Sequence, residues 1–119
     1  MSDIEEIIHP WRFGNNKLPD GLADLKSVCS IVSGGGYDWE EFRVFWSPTA
    51  RMYFWLGEAG CSCNGWGDAL YSLSEMENGQ AKSDVIRAIR AWASDAYSVT
   101  AAEVLDAMNE LANFTPEAA

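Results

Sequence analysis

Two short runs of alternating side chains constrain this chain more than anything else in it. In Trp39–Trp46, Phe42, Val44 and Trp46 fall on one side and Glu41, Arg43 and Phe45 on the other. That is the period of two which a β-strand imposes on its side chains. Arg51–Gly57 repeats the pattern, with Met52, Phe54 and Leu56 opposite Arg51, Tyr53 and Trp55. Ser47-Pro48-Thr49-Ala50 lies between them, with Pro48 suited to the second position of a turn. An antiparallel hairpin follows. The enclosing stretch, Tyr37–Trp66, holds nine of the fifteen aromatic residues and four of the six tryptophans. The rings are assigned to both faces: Phe42, Trp46 and Phe54 to one, Phe45, Tyr53 and Trp55 to the other. Such a hairpin has to be covered twice. Helices bury one face, and the other needs the N-terminal segment with Trp11 and Phe13, a second chain, or a binding partner. At 119 residues the chain is long enough to cover both faces itself, so a two-sided core is the first expectation and an aromatic interface the second.

The remaining segments read as packing for that hairpin. Asp3–Ile8 forms a short helical segment capped by Ser2 and ended by His9-Pro10, because a residue before proline avoids helical geometry. Leu22–Leu25 adds one helical turn. Val28–Ser33 is β-branched and becomes a first strand, followed by the connection Gly34-Gly35-Gly36. That triplet lacks the spacing of a phosphate loop and reads as loop geometry. Gly57–Gly67 is a glycine-rich loop, Asp68–Met76 holds a helical turn, and Glu77-Asn78-Gly79 breaks it. A helix opening at Ser83 or Asp84 places Val85, Ile86, Ile89, Trp92, Ala93, Ala96 and Tyr97 on one face. Thr100-Ala101-Ala102-Glu103 is a capping box for a last helix, whose stripe is Val104, Leu105, Met108, Leu111 and Ala112. The expected architecture is a single α+β domain over residues 1–119. It is a three-stranded antiparallel meander packed against a C-terminal helical hairpin, with a short N-terminal helical segment.

Charge narrows the partners. Eighteen acidic residues against eight basic give a formal net charge of −10, spread along the chain rather than gathered in a tail. A field of that sign repels nucleic acid and attracts basic proteins. No apolar run approaches the ~20 residues of a membrane span, and the acidic start MSDIEEII is unlike a signal peptide. The expectation is a cytoplasmic protein with neither nucleic acid nor membrane as a direct partner.

Cys61-Ser62-Cys63 is the most distinctive motif. Thiols two residues apart make a strained disulfide but can share a soft cation. Only Cys29 and His9 remain to complete a four-ligand site, in no recognised spacing, so a tight turn against the sheet is the favoured reading. A metal site of Cys61, Cys63, Cys29 and His9 is the alternative. No cofactor is implied. Met52-Tyr53-Phe54-Trp55 followed by Gly60-Cys61-Ser62-Cys63 resembles a group of small actinobacteriophage proteins of unassigned activity, in which a strand pair leads into a Gly-Cys-Ser-Cys loop. The resemblance spans about Trp39–Leu70, and the chain departs from it at Asn64-Gly65-Trp66-Gly67-Asp68. It implies a phage-encoded protein acting inside a bacterial host.

No catalytic set is legible. The one histidine stands in His9-Pro10 without a nucleophile motif nearby. Asp38, Glu40, Glu41 and Glu58 gather at one end of the hairpin, where a solvated acidic face is favoured over an acid–base or cation site. The sequence therefore points to a non-enzymatic interaction protein, with nucleic-acid mimicry as one form. Its candidate interface is Phe45, Tyr53, Trp55 and Trp66 with Asp38, Glu40, Glu41 and Glu58. A host protein with a basic or aromatic-accepting surface is the expected partner, and a homodimer is compatible with this. A small metal-binding or redox module centred on the cysteine loop is the runner-up.

Overall fold

A computed structural model describes residues 3–8, 21–35 and 37–116. Four antiparallel strands in the order β1-β2-β3-β4 form one sheet: β1 Lys26–Gly35, β2 Asp38–Ser47, β3 Met52–Cys61 and β4 Glu77–Gly79. Two helices follow, α1 Lys82–Asp95 and α2 Ala101–Asn113. The class is α+β as expected, but the meander has four strands rather than three. The fourth is the segment read from sequence as a helix breaker. Glu, Asn and Gly are poor strand formers, so nothing local marks it. Glu77, Asn78 and Gly79 become a strand only by pairing with Trp55, Phe54 and Tyr53.

The other strands run longer than the alternation suggested. In β1, Gly34 and Gly35 continue the ladder opposite Trp39 and Asp38. Gly34 has φ +88°, and a Cβ there would stand 2.6 Å from the Asp38 carbonyl oxygen. The backbone turns back so closely that only glycine fits. Val28 is the extra residue of a β-bulge between Ser27 and Cys29, and both Val28 and Cys29 reach the same core. The β2–β3 turn is Pro48–Arg51, closed by the Arg51 N–H donating to the Ser47 carbonyl at 2.7 Å. Arg51 belongs to this turn, with φ 56°, and not to the strand.

Register settles the two faces. Trp46 pairs with Tyr53, Val44 with Trp55, and Phe45 with Phe54. Tyr53 and Trp55 therefore lie on the face of Phe42 and Trp46, while Phe54 joins Phe45 on the opposite one, which reverses the sequence-based grouping of these three rings. On the first face, Phe42, Val44, Trp46, Tyr53 and Trp55 pack with Val85 and Ile89 of α1 and Ala107 and Leu111 of α2. Helix α2 lies over β1, and α1 over β3 and β4. On the second face, Phe45 and Phe54 are covered by Ile4, Ile8, Leu22, Leu25, Trp66, Leu70 and Met76. The sheet is thus the shared wall of two cores. A 3-10 turn, Ile4–Glu6, stands where a short helix was expected, and Asp3 fastens it by accepting the Ser27 N–H at 2.7 Å. Ser2, His9, Trp11, Phe13 and Gly36 lie outside the described residues.

The helix faces are partly redrawn. Tyr97 lies beyond α1 and is 75% exposed, and in α2 Leu105 and Ala112 face solvent while Ala107 is fully buried. The Thr100–Glu103 capping box forms as expected. Thr100 Oγ1 accepts the Glu103 N–H at 3.1 Å, and Glu103 Oε1 accepts the Thr100 N–H at 2.8 Å.

Candidate functional site

The four candidate interface rings are core residues. Phe45, Tyr53, Trp55 and Trp66 are between 0% and 5% exposed, so none presents an aromatic surface to a partner. The two indole N–H groups have acceptors within the chain. Trp55 donates its indole N–H to Glu77 at 3.1 Å, and Trp66 donates to the Leu56 carbonyl at 3.0 Å. Trp66 also lies against Phe45, with the Arg43 guanidinium over its ring. It pins the post-strand loop to the second core. The physical reason is the sheet: a hairpin with rings on both faces is covered twice by this chain itself.

The four candidate carboxylates divide between the faces. Glu41 and Glu58 are cross-strand partners. Glu41 forms an ion pair with Arg43 at 2.5 Å, and Glu58 accepts the Gly67 N–H at 2.6 Å. Asp38 and Glu40 point the other way, toward the α1–α2 connection. Asp38 is exposed and stands 3.4 Å from the Tyr97 hydroxyl. Glu40 is only 6% exposed and forms no ion pair among the described residues. Its carboxylate accepts the Ser98 hydroxyl, the Ser98 N–H at 2.7 Å and the Tyr97 N–H at 3.2 Å. Burial pushes the Glu40 carboxyl up, but the hydrogen bonds from Ser98 and Tyr97 outweigh it and hold it below the usual carboxylate range. Ser33, its cross-strand partner and also buried, shares its hydroxyl proton between the Ser98 carbonyl and Glu103 Oε1. Glu40 is an internal clamp on the helix connection, not an interface residue.

The cysteine motif begins inside the sheet. Gly60 and Cys61 are the last residues of β3, opposite Trp39 and Asp38, so the loop proper starts at Ser62. The Trp39 indole N–H is shared between the carbonyls of Cys61 and Asn64, at 2.8 and 3.0 Å. Asn64 Oδ1 accepts the Cys61 N–H at 3.1 Å. A Cβ on Gly60 would stand 2.5 Å from Asn64 Oδ1 and 2.6 Å from the Trp39 ring. This is a tight turn that needs glycine. Cys61 and Cys63 are both exposed. A hydrogen bond from the Cys63 thiol lowers Cys61 below the ordinary thiol range and raises Cys63 above it. Cys29 is buried opposite Val44, six register positions along β2 from the partner of Cys61. Six strand residues span about 20 Å. Burial, then Glu110, pushes its thiol up to about 12. The four-ligand metal site is overturned at Cys29 by that separation, and His9 lies outside the described residues. Among the described residues no three His, Cys, Asp or Glu side chains are placed to hold a metal.

Residues 18–118 match the family model described as "Domain of unknown function (DUF7574)". The chain belongs to this family. No curated protein and no solved structure matches it. The family match takes in the whole sheet, the cysteine turn and both helices, while Ile4 and Ile8 of the second core precede it. Its description names neither a phage source nor the Gly-Cys-Ser-Cys motif. No helix among the described residues is long and apolar enough to cross a membrane.

One feature of the family domain escaped the sequence reading. A groove of about 690 Å³ runs between α1 and the β3–β4 edge. Its floor includes Phe42, Trp55 and the half-buried Trp92, and Glu77, Asp84, Arg87 and Asp95 stand around it. Of these only Trp55 is a candidate site residue from sequence; Phe42 and Trp92 are legible only as packing residues. The signal is there: Asp84, Ala88, Ala91 and Asp95 recur every three or four residues, on a face of α1 beside the core stripe that carries Trp92.

Proposed function

We propose that this chain is a small non-enzymatic interaction protein that binds a basic host protein through its acidic surface, with nucleic-acid mimicry as the form of that binding. The observation that carries the reading is how little of the negative charge is neutralised internally. The chain has a net charge of −10, yet among the described residues only Glu41 and Asp84 form ion pairs, with Arg43 and Arg87. Among the described residues the other carboxylates mostly accept backbone N–H groups or face solvent, and the summed field of the chain's excess negative charge favours a cationic partner. The burial of Phe45, Tyr53, Trp55 and Trp66 removes support for an aromatic-anchored interface and leaves electrostatics as the recognition chemistry. The likeness of the Gly60–Cys63 turn to small actinobacteriophage proteins makes a bacterial host protein the partner class and the host cytoplasm the place of action. Affinity capture from an actinobacterial lysate tests this. The reading expects a basic, nucleic-acid-binding protein that duplex DNA elutes in competition. Capture that DNA does not displace argues against mimicry, and capture of no basic protein argues against the reading as a whole.

A second reading rests on the contact between the two exposed thiols. Cys61 and Cys63 together can hold a soft cation without Cys29. Protein purified without chelator should then carry metal and melt lower when it is stripped. Less than about a tenth of an equivalent, with unchanged melting in chelator, removes this reading.

A further inference from the structure

We propose that the groove between α1 and the β3–β4 edge seats a lysine or arginine side chain from a basic segment of the partner. This deepens the basic-partner reading above and rests on it. Gly57 makes the floor. A Cβ there would stand 2.5 Å from both Cδ1 and Nε1 of Trp92, so the indole lies directly on the Gly57 backbone. Phe42 supports the indole from beside it, with ring centroids 5.3 Å apart and planes tilted by 44°. Gly79 sets one end of the groove: a Cβ there would meet Asp84 at 2.7 Å, so β4 and the start of α1 approach as closely as backbone allows.

The groove is polar at its rim and aromatic at its base, which suits a cation on an alkyl stem. An ammonium or guanidinium within about 6 Å of a tryptophan ring is attracted by the ring's negative face, and the stem covers apolar floor. Asp84 is already committed to Arg87 at 2.6 Å and to the Ala81 N–H at 3.1 Å. Glu77 on β4 has only the Trp55 indole as a partner, and Asp95 at the end of α1 has none among the described residues. Two exposed carboxylates therefore flank an aromatic floor without a cation of their own. The indole N–H groups of Trp39, Trp55 and Trp66 have acceptors, while those of Trp92 and of the buried Trp46 have none among the described residues. A volume of about 690 Å³ is that of an organic ligand site rather than of a single ion.

The probe is octa-arginine, titrated into the full chain and followed by amide and indole N–H chemical shifts. Seating in the groove moves the Trp92 indole signal and the amides of Glu77–Gly79 saturably. The double variant Glu77→Gln with Asp95→Asn should weaken binding by about fivefold or more. The charge-matched control, Asp106→Asn with Glu110→Gln on α2, should weaken it by less than about twofold. Neither pair removes a packing contact, and unchanged melting confirms that both variants fold. Equal weakening by both pairs, with a stationary Trp92 indole, overturns the groove while leaving a diffuse basic-partner reading intact. No binding of octa-arginine to the unsubstituted chain removes both.

Discussion

Glu40 holds the helix connection to the sheet. It is a buried carboxylate held only by hydrogen bonds from Ser98 and Tyr97, on which the docking of the α1–α2 connection depends. Glu103, likewise hydrogen-bonded by Thr100 and Ser33, also sits below the usual carboxylate range. Depressed carboxyls contribute stability in full above the unfolded range near pH 4.5. As pH falls through that range the unfolded chain takes up protons first, and the contribution is lost below it. Chemical denaturation of Glu40→Gln should show a loss of about 2 kcal/mol at pH 7. The difference from the unsubstituted protein should shrink between about pH 5 and pH 3. A constant difference across that range would mean that Glu40 acts through shape alone. The thiols offer a second residue-scale measurement. Cys61 and Cys63 should react readily with an aromatic disulfide reagent in the folded state, Cys61 first. Cys29, buried and with its thiol pushed up to about 12, should react only on unfolding.

At the scale of elements, what was legible in the sequence follows from where structure is local. The alternation in Trp39–Trp46 is local, so β2 and its two faces were readable, as was the Thr100–Glu103 cap. Which ring of β3 shares a face with which ring of β2 is not local. The four-residue turn Pro48–Arg51 fixes it, so Phe54, Tyr53 and Trp55 were sorted onto the wrong faces. β4 as a whole is hidden for the same kind of reason: its strand state comes from Tyr53–Trp55 and not from its own three residues. In α2, hydrophobicity misled, since the small Ala107 sits against the core and the larger Leu105 does not. The candidate site fared similarly. The cysteine turn and the acidic cluster were visible as motifs, but Glu40's inward role and the groove over Gly57 depend on contacts between distant segments. Because β4 is short, at the edge, and polar, its amides should be among the first of the sheet to exchange with solvent, while those of β2, paired on both sides, should be among the last. Hydrogen exchange at single-residue resolution measures this. Protection in Glu77–Gly79 equal to that in β2 would contradict an edge held only by Tyr53–Trp55.

At the scale of the whole molecule, one sheet serves two cores and leaves acidic chemistry outside. The interior consumes the aromatic residues that first suggested an interface, and the surface keeps carboxylates with few internal cations. Association with a cationic partner should then be dominated by long-range attraction, which salt screens over about 10 Å at 0.1 M. The most direct test is the affinity for octa-arginine at 50 and 300 mM sodium chloride, measured by calorimetry. The account predicts a loss of about tenfold or more between the two. An affinity that holds steady across that range would contradict an acidic surface as the means of recognition.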